Sequence, residues 1–354
     1  MTRRARSTPT RTSSVRTALT LVAAAVLAAV PSGRAGAQPF TSLTFFGDSY
    51  SDTGNATLLA AANGLPNPAP SPFFAGRFSN GPVWVDYLAT ALGRPADAAP
   101  VFLAGAPSGN YAIGGARSGP APGSIPIPST GDQILTYRAA LAGRGGTFDP
   151  TGLYVLFSGG NDLRDVGQLT DPTLQVAATL AAANRVGDQA ATLAASGAKS
   201  ILIPYLGDVG YFPEALADPA RVAALHQLTP LFNTTLATRL GTLRLLNPTT
   251  TFFDLRLDNL LTNILADAQA GGPMYRMTNV TTPCFAPGAP SCDVSLFVDG
   301  QHPTTRAHAV IAGAAYDLVV TGVNVSAVPE PATVTLVGAG LLLVAVTTAR
   351  RHRA

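Results

Sequence analysis

The feature that most constrains this fold is a repeated pattern, in which a short apolar run ends in a glycine or a small polar cluster. The clearest run covers residues 153–157, Leu-Tyr-Val-Leu-Phe, and Ser-Gly-Gly-Asn-Asp follows it directly. Related runs lie at 43–46, 111–113, 200–204 and 250–254. Continuous apolar runs of this length are typical of strands that are buried on both faces of a sheet. The pattern therefore predicts a sheet of covered strands.

Stretches with helical character separate the apolar runs. They cover residues 83–89, 174–195, 223–245, 258–270 and 304–320, the third with a bend expected near Pro230. Alternation of strands and helices favours a parallel sheet with helices on both faces and right-handed crossovers. In such a sheet the carboxyl ends of the strands meet at one edge, where loops that carry active-site residues gather. We therefore expect catalytic residues in the loops after the strands.

The N-terminal segment has the composition of a secretory signal peptide. Residues 1–17 contain five arginines and no acidic side chain, and residues 18–30 form an apolar run. Ala35-Gly36-Ala37 is a small-residue cleavage pattern, which predicts a signal peptide over residues 1–37 and a mature start near Gln38. The apolar run is short for a membrane span, so a retained anchor is the less favoured alternative.

The C-terminus carries a second sorting pattern. Val328-Pro329-Glu330-Pro331 precedes an uncharged, mostly apolar stretch over residues 332–349, and Arg350-Arg351-His352-Arg353 follows. This apolar stretch is near the lower length limit for a membrane-spanning helix. The order resembles the PEP-CTERM sorting tail of Gram-negative bacteria. That resemblance implies an exosortase-type processing enzyme as a partner and transient membrane association through residues 326–354.

A plain C-terminal anchor is the alternative to a cleaved tail. Both interpretations put the body of the chain outside the cytoplasm. We therefore expect an exported protein at the cell surface, at the outer membrane, in the extracellular matrix or in the medium.

The positive charge of the chain is concentrated in these two terminal segments. Of the 23 basic side chains, nine are arginines in residues 1–37 and 350–353, which contain no acidic side chain, so the body has 14 basic against 20 acidic side chains. No basic stripe remains in the body, so we expect no nucleic-acid partner.

A serine nucleophile is predicted in the loop after the first strand. Gly47-Asp48-Ser49 ends the run at 43–46 and places the hydroxyl of Ser49 just past the strand. A serine hydroxyl is a weak nucleophile, which needs a base, a group that orients the base and donors for the oxyanion. Asp299 and His302 lie three positions apart, so one turn can present them as orienter and base. Taken alone, Gly-Asp-Ser is also an ordinary turn.

The oxyanion donors are expected at the ends of three strands. The backbone N–H of Gly114 can approach a substrate oxygen closely, because glycine has no Cβ. Asn161 offers its side-chain amide after the strand at 153–157, and the backbone N–H of Ser49 is the third donor.

In order and spacing these residues resemble the GDSL, or SGNH, family of serine esterases and lipases, over about residues 41–320. Ser49 matches the nucleophile of the first signature block, and the later blocks match at Gly114, at Asn161, and at Asp299 with His302. The resemblance implies a flavodoxin-like three-layer α/β/α sandwich with a parallel central sheet, the SGNH hydrolase fold, over residues 38–325. It also implies hydrolysis of lipid, aryl or glycan esters with no metal and no cofactor.

Two details of the match are less well defined. Tyr50 stands where the family name has leucine, a position that we expect to carry no chemistry, and Gly114 is not distinguished from Gly115 as an oxyanion donor. The Pro- and Gly-rich loops at 63–75 and 118–129 are expected to shape the acyl pocket.

Cys284 and Cys292 are the two cysteines of the chain, eight positions apart in a Pro- and Gly-rich loop. In an exported protein this arrangement predicts one disulfide that holds the loop. Two thiols without a neighbouring histidine make a poor zinc site, which is the alternative.

The sequence thus predicts an exported serine esterase or lipase. Two alternatives remain at this point. One is an inactive surface or matrix protein that uses the domain only as a scaffold. The other keeps the triad but transfers the acyl group to another acceptor, or removes acetyl groups from polysaccharide.

Overall fold

Five parallel strands form the sheet in the computed structural model, which describes residues 40–120 and 127–325. They are β1 (Leu43–Gly47), β2 (Gly109–Asn110), β3 (Leu153–Phe157), β4 (Ser200–Pro204) and β5 (Thr251–Leu255). Their order across the sheet is β2-β1-β3-β4-β5, and each neighbouring pair is parallel. The predicted parallel sheet is confirmed.

The α-helices of the described residues follow the strands along the chain. They are α1 (Asn55–Ala62), α2 (Trp84–Ala91), α3 (Thr130–Ala142), α4 (Gly160–Val166), α5 (Pro172–Ala195), α6 (Pro219–Leu246), α7 (Leu257–Gln269) and α8 (Thr305–Thr321). Pro230 lies inside α6, where the sequence predicts a bend.

Both faces of the sheet are covered by helices. All residues of β1 and of β3 are buried, as expected for strands without a solvent-exposed face. Helix α5 packs against α6, and α2 packs against α8. The fold is therefore the three-layer α/β/α sandwich that the sequence predicts.

The structure differs from the sequence prediction mainly in the bounds of β2 and in three helices that were not predicted. The sequence predicts a strand at 111–113, whereas β2 ends at Asn110. The backbone N–H groups of Tyr111 and Ile113 still donate to the carbonyls of Phe45 and Gly47, at 2.8 and 3.1 Å, so pairing with β1 continues past the strand. Helices α1, α3 and α4 are absent from the sequence prediction.

The register of β1 and β3 brings their carboxyl ends side by side. Leu43 pairs with Leu153, and Gly47 pairs with Phe157. Only glycine fits at position 47, because a Cβ there would lie 2.8 Å from the carbonyl oxygen of Phe157. The loops that begin at Asp48 and Ser158 therefore leave the sheet next to each other.

Within the described residues, no helix combines the length and the apolar content that crossing a membrane requires. The predicted signal peptide, residues 1–37, and the predicted sorting tail, residues 326–354, lie outside the described residues.

Candidate active site

Ser49 lies on a tight turn that leaves β1. The backbone N–H groups of Ser51 and Asp52 both donate to the carbonyl of Asp48, at 3.0 and 2.9 Å. The carboxylate of Asp48 also accepts from the N–H of Tyr50 at 3.0 Å. These bonds fix the backbone on both sides of Ser49, whose side chain points into the molecule, since the residue is only 5% exposed.

The structure brings Ser49, His302 and Asp299 together in one hydrogen-bonded chain. Nε2 of His302 lies 2.9 Å from Oγ of Ser49, and Nδ1 of His302 lies 2.7 Å from Oδ2 of Asp299. An ionised carboxylate can only accept, so Asp299 holds the ring proton on Nδ1 and leaves Nε2 free to accept from the hydroxyl. This is the arrangement that a general base needs in order to deprotonate a serine.

A closed turn presents Asp299 and His302 to Ser49. The backbone N–H of Val298 donates to the carbonyl of His302 at 2.8 Å, and Phe297 forms an antiparallel bridge with Pro303. Helix α8 begins directly afterwards, and the hydroxyl of Thr304 caps it by accepting from the N–H of Ala307. Backbone hydrogen bonds thus close the turn on both sides of Asp299 and His302, and the chain continues from it into a packed helix.

Hydrogen bonds keep Asp299 ionised in spite of its burial. Burial raises the pKa of this carboxyl, but the ring of His302 and the backbone N–H groups of Gln301 and His302 outweigh it and hold the pKa below its usual value. The two backbone N–H groups donate to Oδ1 at 2.9 and 2.7 Å. Oδ2 is therefore left for His302.

Aromatic rings enclose the imidazole of His302. The ring of Phe78 is stacked on it with centroids 5.2 Å apart, and Phe73 contacts it edge-on at 6.1 Å. His302 is 5% exposed as a result. The rings restrict the imidazole to the orientation that its two hydrogen bonds require.

Asn161 lies in the first turn of α4, directly after β3. Its Oδ1 accepts from Nη1 of Arg164 at 3.0 Å, and its Nδ2 donates to the carbonyl of Ala116 at 3.0 Å. Arg164 is itself held by Glu214, through bonds of 2.5 and 2.8 Å. Because the amide nitrogen carries two protons, one N–H of Asn161 remains for a substrate oxygen.

Gly114 does not have the free N–H that the sequence analysis assigns to it. Its N–H donates to Oδ2 of Asp52 at 2.7 Å. The prediction of Gly114 as an oxyanion donor is therefore not supported, because its proton points at a carboxylate. Gly115, the other candidate, has a φ of +83° and forms no backbone N–H hydrogen bond within the described residues.

Tyr50 has a structural contact that the sequence analysis did not predict. Its hydroxyl donates to the carbonyl of Gln301 at 2.6 Å, which joins the turn of Ser49 to the turn of His302. Its ring also packs edge-on against Phe157. Leucine, which the family name has at this position, could not form this bond. The tyrosine that stands in place of the signature leucine was the sequence feature that could have indicated this contact.

Other polar side chains of these loops brace the backbone. Nδ2 of Asn55 donates to the carbonyls of Asn110 and Ala112, both at 2.8 Å. Asp162 accepts from the backbone N–H and the hydroxyl of Ser118, at 2.8 and 2.7 Å. These bonds tie together the loops that follow β1, β2 and β3.

His308, on α8, is fully buried beside the ring of Tyr50. Neither ring nitrogen has a hydrogen-bond partner within the described residues. Burial, followed by the nearby His302, lowers the pKa of His308 to about 3, so this ring is neutral at physiological pH.

Cys284 and Cys292 are joined in a disulfide. The loop they close lies against the turn of His302, since the backbone N–H groups of Cys284 and Phe285 donate to the carbonyls of Phe297 and Val298. Among the described residues, no group of three or more His, Cys, Asp or Glu side chains is arranged to hold a metal ion.

The known proteins that are similar to this chain include enzymes that act on acyl groups. The phosphatidylcholine-sterol acyltransferase of Aeromonas hydrophila is 26% identical over 77% of this chain and 88% of its own length. Esterase EstA of Pseudomonas aeruginosa is 29% identical over 89% of this chain, which spans only 52% of that protein. The solved acetylxylan esterase Axe2 of Geobacillus stearothermophilus is 13% identical over 82% of this chain and 96% of its own, with a TM-score of 0.38, a likeness too weak to support an inference.

The family comparison covers most of the chain. The model of the GDSL-like lipase/acylhydrolase family matches residues 43–315, a range that begins at β1 and ends within α8. The matched range contains Ser49, Asn161, Asp299 and His302. This chain belongs to the GDSL-like lipase/acylhydrolase family.

Proposed function

We propose that this protein is a serine esterase that hydrolyses carboxylic esters through an acyl-enzyme on Ser49. The observation that carries the proposal is the chain of bonds from Ser49 through His302 to Asp299, with both links shorter than 3 Å. Membership of an acylhydrolase family supports the same chemistry. His302 is the base and Asp299 is its orienter.

In the first half of the reaction, Oγ of Ser49 attacks the ester carbonyl while Nε2 of His302 takes its proton. The carbonyl oxygen becomes an oxyanion, for which the free N–H of Asn161 and the backbone N–H groups of Ser49 and Gly115 are the proposed donors. One such donor contributes about 10²- to 10³-fold in kcat. The C–O bond to the alcohol then breaks, and protonated His302 gives its proton to the departing oxygen.

In the second half, water attacks the acyl carbon and gives its proton to His302. The bond to Oγ of Ser49 breaks, the serine regains the proton, and the carboxylic acid leaves. Asp299 stays ionised throughout and stabilises the imidazolium that forms in both halves.

A second candidate keeps the triad but changes either the acceptor of the acyl group or the ester that donates it. An alcohol or a glycan hydroxyl can replace water in the second half, which makes the enzyme an acyltransferase, and acetylated polysaccharide can replace the lipid or aryl ester. The name of the Aeromonas relative favours acyl transfer to an alcohol. Product analysis with water and alcohol as competing acceptors separates the two reactions.

The experiment that tests the proposal compares the wild type with Ser49→Ala and with Ser71→Ala, an exposed serine that serves as the matched control. A fluorophosphonate probe should label the wild type and Ser71→Ala but not Ser49→Ala. Hydrolysis of aryl esters should follow the same order, with less than about 1% of kcat left in Ser49→Ala. Folded wild-type protein that the probe does not label would support the inactive scaffold instead.

We also propose that the hydrolase domain, residues 38–325, is exported. The arginine-rich and apolar residues before Gln38 and the Pro-Glu-Pro tail support export and processing by an exosortase-type enzyme. The intact mass of protein recovered outside the cell tests both cleavage points. A mass that includes residues 1–37 would contradict the signal peptide.

A further inference from the structure

A cavity of about 80 Å³ opens beside the proposed nucleophile and continues between helices α7 and α8. Ser49 and Asn161 line it at the carboxyl edge of the sheet. Leu260 and Ile264 of α7 line it on one side, and Ile311 of α8 lines it on the other. The Pro- and Gly-rich loops that the sequence analysis assigns to an acyl pocket contribute no described residue to it.

The direction of the cavity follows from the topology. Helix α7 begins at Leu257, two residues after β5 ends, so its first turn lies at the carboxyl edge of the sheet. Leu257 and Ile264 both line the cavity. They are seven residues apart, which is about 10 Å along a helix. The cavity therefore leads away from Ser49 into the protein, with Ile264 at its deep end.

The polar groups of the lining are gathered at the Ser49 end. The charged lining residues are Asp48 and Arg164, which lie in the loop of Ser49 and in the helix of Asn161. The portions contributed by α7 and α8 are leucine, isoleucine and alanine side chains. A ligand that fits has one polar group at the serine and an apolar tail.

The side of Ser49 on which the cavity opens decides which part of an ester it receives. The alcohol must leave next to His302, because that ring protonates it. The imidazole of His302 does not line the cavity, although its neighbours Gln301 and Pro303 do, whereas Asn161, a proposed donor to the carbonyl oxygen, lines it. The acyl chain therefore points toward the cavity, and the alcohol points toward the phenylalanine rings around His302.

We infer that the cavity between α7 and α8 is the site for the acyl chain, and that the enzyme prefers esters of medium-length fatty acids over acetate esters. This inference rests on the proposed esterase function. Each methylene group buried in such a site strengthens binding by roughly fourfold, if the site excludes water.

Two isomeric esters test on which side of the scissile bond the chain lies. Ethyl octanoate carries its long chain on the acyl side, and octyl acetate carries it on the alcohol side. Ile264→Phe, which fills the deep end, should lower kcat/KM for ethyl octanoate relative to octyl acetate by at least about tenfold. Leu245→Phe on α6 is the matched control, because Leu245 is 83% exposed, and it should leave this ratio unchanged.

The opposite pattern would overturn the inference. A loss confined to octyl acetate would assign the cavity to the alcohol, and an unchanged ratio in folded Ile264→Phe would mean that neither chain enters it. If Ile264→Phe does not fold, Ile264→Ala enlarges the same end. It should then shift the preferred acyl length from octanoate toward longer chains, and an unshifted preference would count against the site.

A binding measurement separates failure of this inference from failure of the esterase proposal. Octanoate, but not acetate, should bind wild-type protein in calorimetry, and Ile264→Phe should weaken that binding, whether or not turnover is seen. Absence of octanoate binding in protein whose Ser49 is labelled by the fluorophosphonate would overturn the acyl site and leave the hydrolase proposal standing.

Discussion

Replacing Asp299 with asparagine tests the proposed triad sharply, because the structure dictates how the new amide must lie. Oδ1 of Asp299 accepts the backbone N–H groups of Gln301 and His302, at 2.9 and 2.7 Å. An asparagine keeps both bonds only if its carbonyl oxygen takes this position. Its NH2 group then faces Nδ1 of His302, which lies 2.7 Å from Oδ2 in the wild type.

The consequence is the wrong tautomer of His302. An NH2 group can only donate, so Nδ1 has to accept and the proton of the neutral ring moves to Nε2. Nε2 then presents a hydrogen to Oγ of Ser49, 2.9 Å away, and cannot take the serine proton. The same exchange in a serine protease lowers kcat by about 10⁴. We expect a loss of about 10³- to 10⁴-fold here, which corresponds to roughly 4 to 5.5 kcal/mol of barrier.

The assay is steady-state hydrolysis of an aryl ester, together with unfolding in denaturant. Because both backbone bonds to position 299 persist, the free energy of unfolding should change by only about 1 kcal/mol. Asp293→Asn, an exposed carboxylate on the same segment, is the control and should keep wild-type kcat. A folded Asp299→Asn enzyme that retained more than about a tenth of kcat would refute the tautomer argument.

Two further substitutions test the loop that carries Ser49. Tyr50→Phe keeps the ring but removes the hydrogen bond to the carbonyl of Gln301. The free energy of unfolding should therefore fall by about 1 kcal/mol, and kcat should change more than KM does. Wild-type kinetics and wild-type stability in this variant would contradict a positioning role for the hydroxyl. Burial raises the pKa of Asp48 from 3.8 to about 7, so between these pH values the folded protein holds a proton that the unfolded chain has lost, and stability from this group falls as pH rises. Asp48→Asn does not titrate and should flatten that part of the decline in unfolding experiments at several pH values, whereas an unchanged pH dependence would contradict the assignment.

The strands and most helices could be predicted because burial imposes a pattern on their sequences. The run at 153–157 is apolar throughout and becomes β3 with the predicted bounds, since both of its faces are covered. Helix α3 follows a loop rich in Gly and Pro and has no clear apolar stripe. The start of this helix could nevertheless have been predicted, because Ser129 and Asp132, three residues apart, form a capping box.

The residue types of the site could be predicted from the sequence, but the partners of their hydrogen bonds could not. Ser49, Asp299 and His302 are recognisable because the reaction demands these groups and the turns that carry them are short. The bond from Tyr50 to Gln301 joins positions 251 residues apart, and no local pattern specifies it. The acyl cavity between α7 and α8 depends in the same way on how separate helices pack.

Asp52 bears on the choice between Gly114 and Gly115 as oxyanion donor, which motif spacing alone leaves open. Its carboxylate accepts four backbone N–H groups, those of Gly54, Asn55 and Ala56 at the start of α1 and that of Gly114 after β2. Burial raises the pKa of Asp52 to about 6 against the effect of these bonds, which leaves the group negatively charged at pH 7. An N–H that faces a carboxylate cannot also stabilise an oxyanion, because the two negative charges would compete for one proton. Asp52 therefore ties the first two loops together and also occupies the N–H of Gly114, which supports the proposal that Gly115 is the backbone donor after β2.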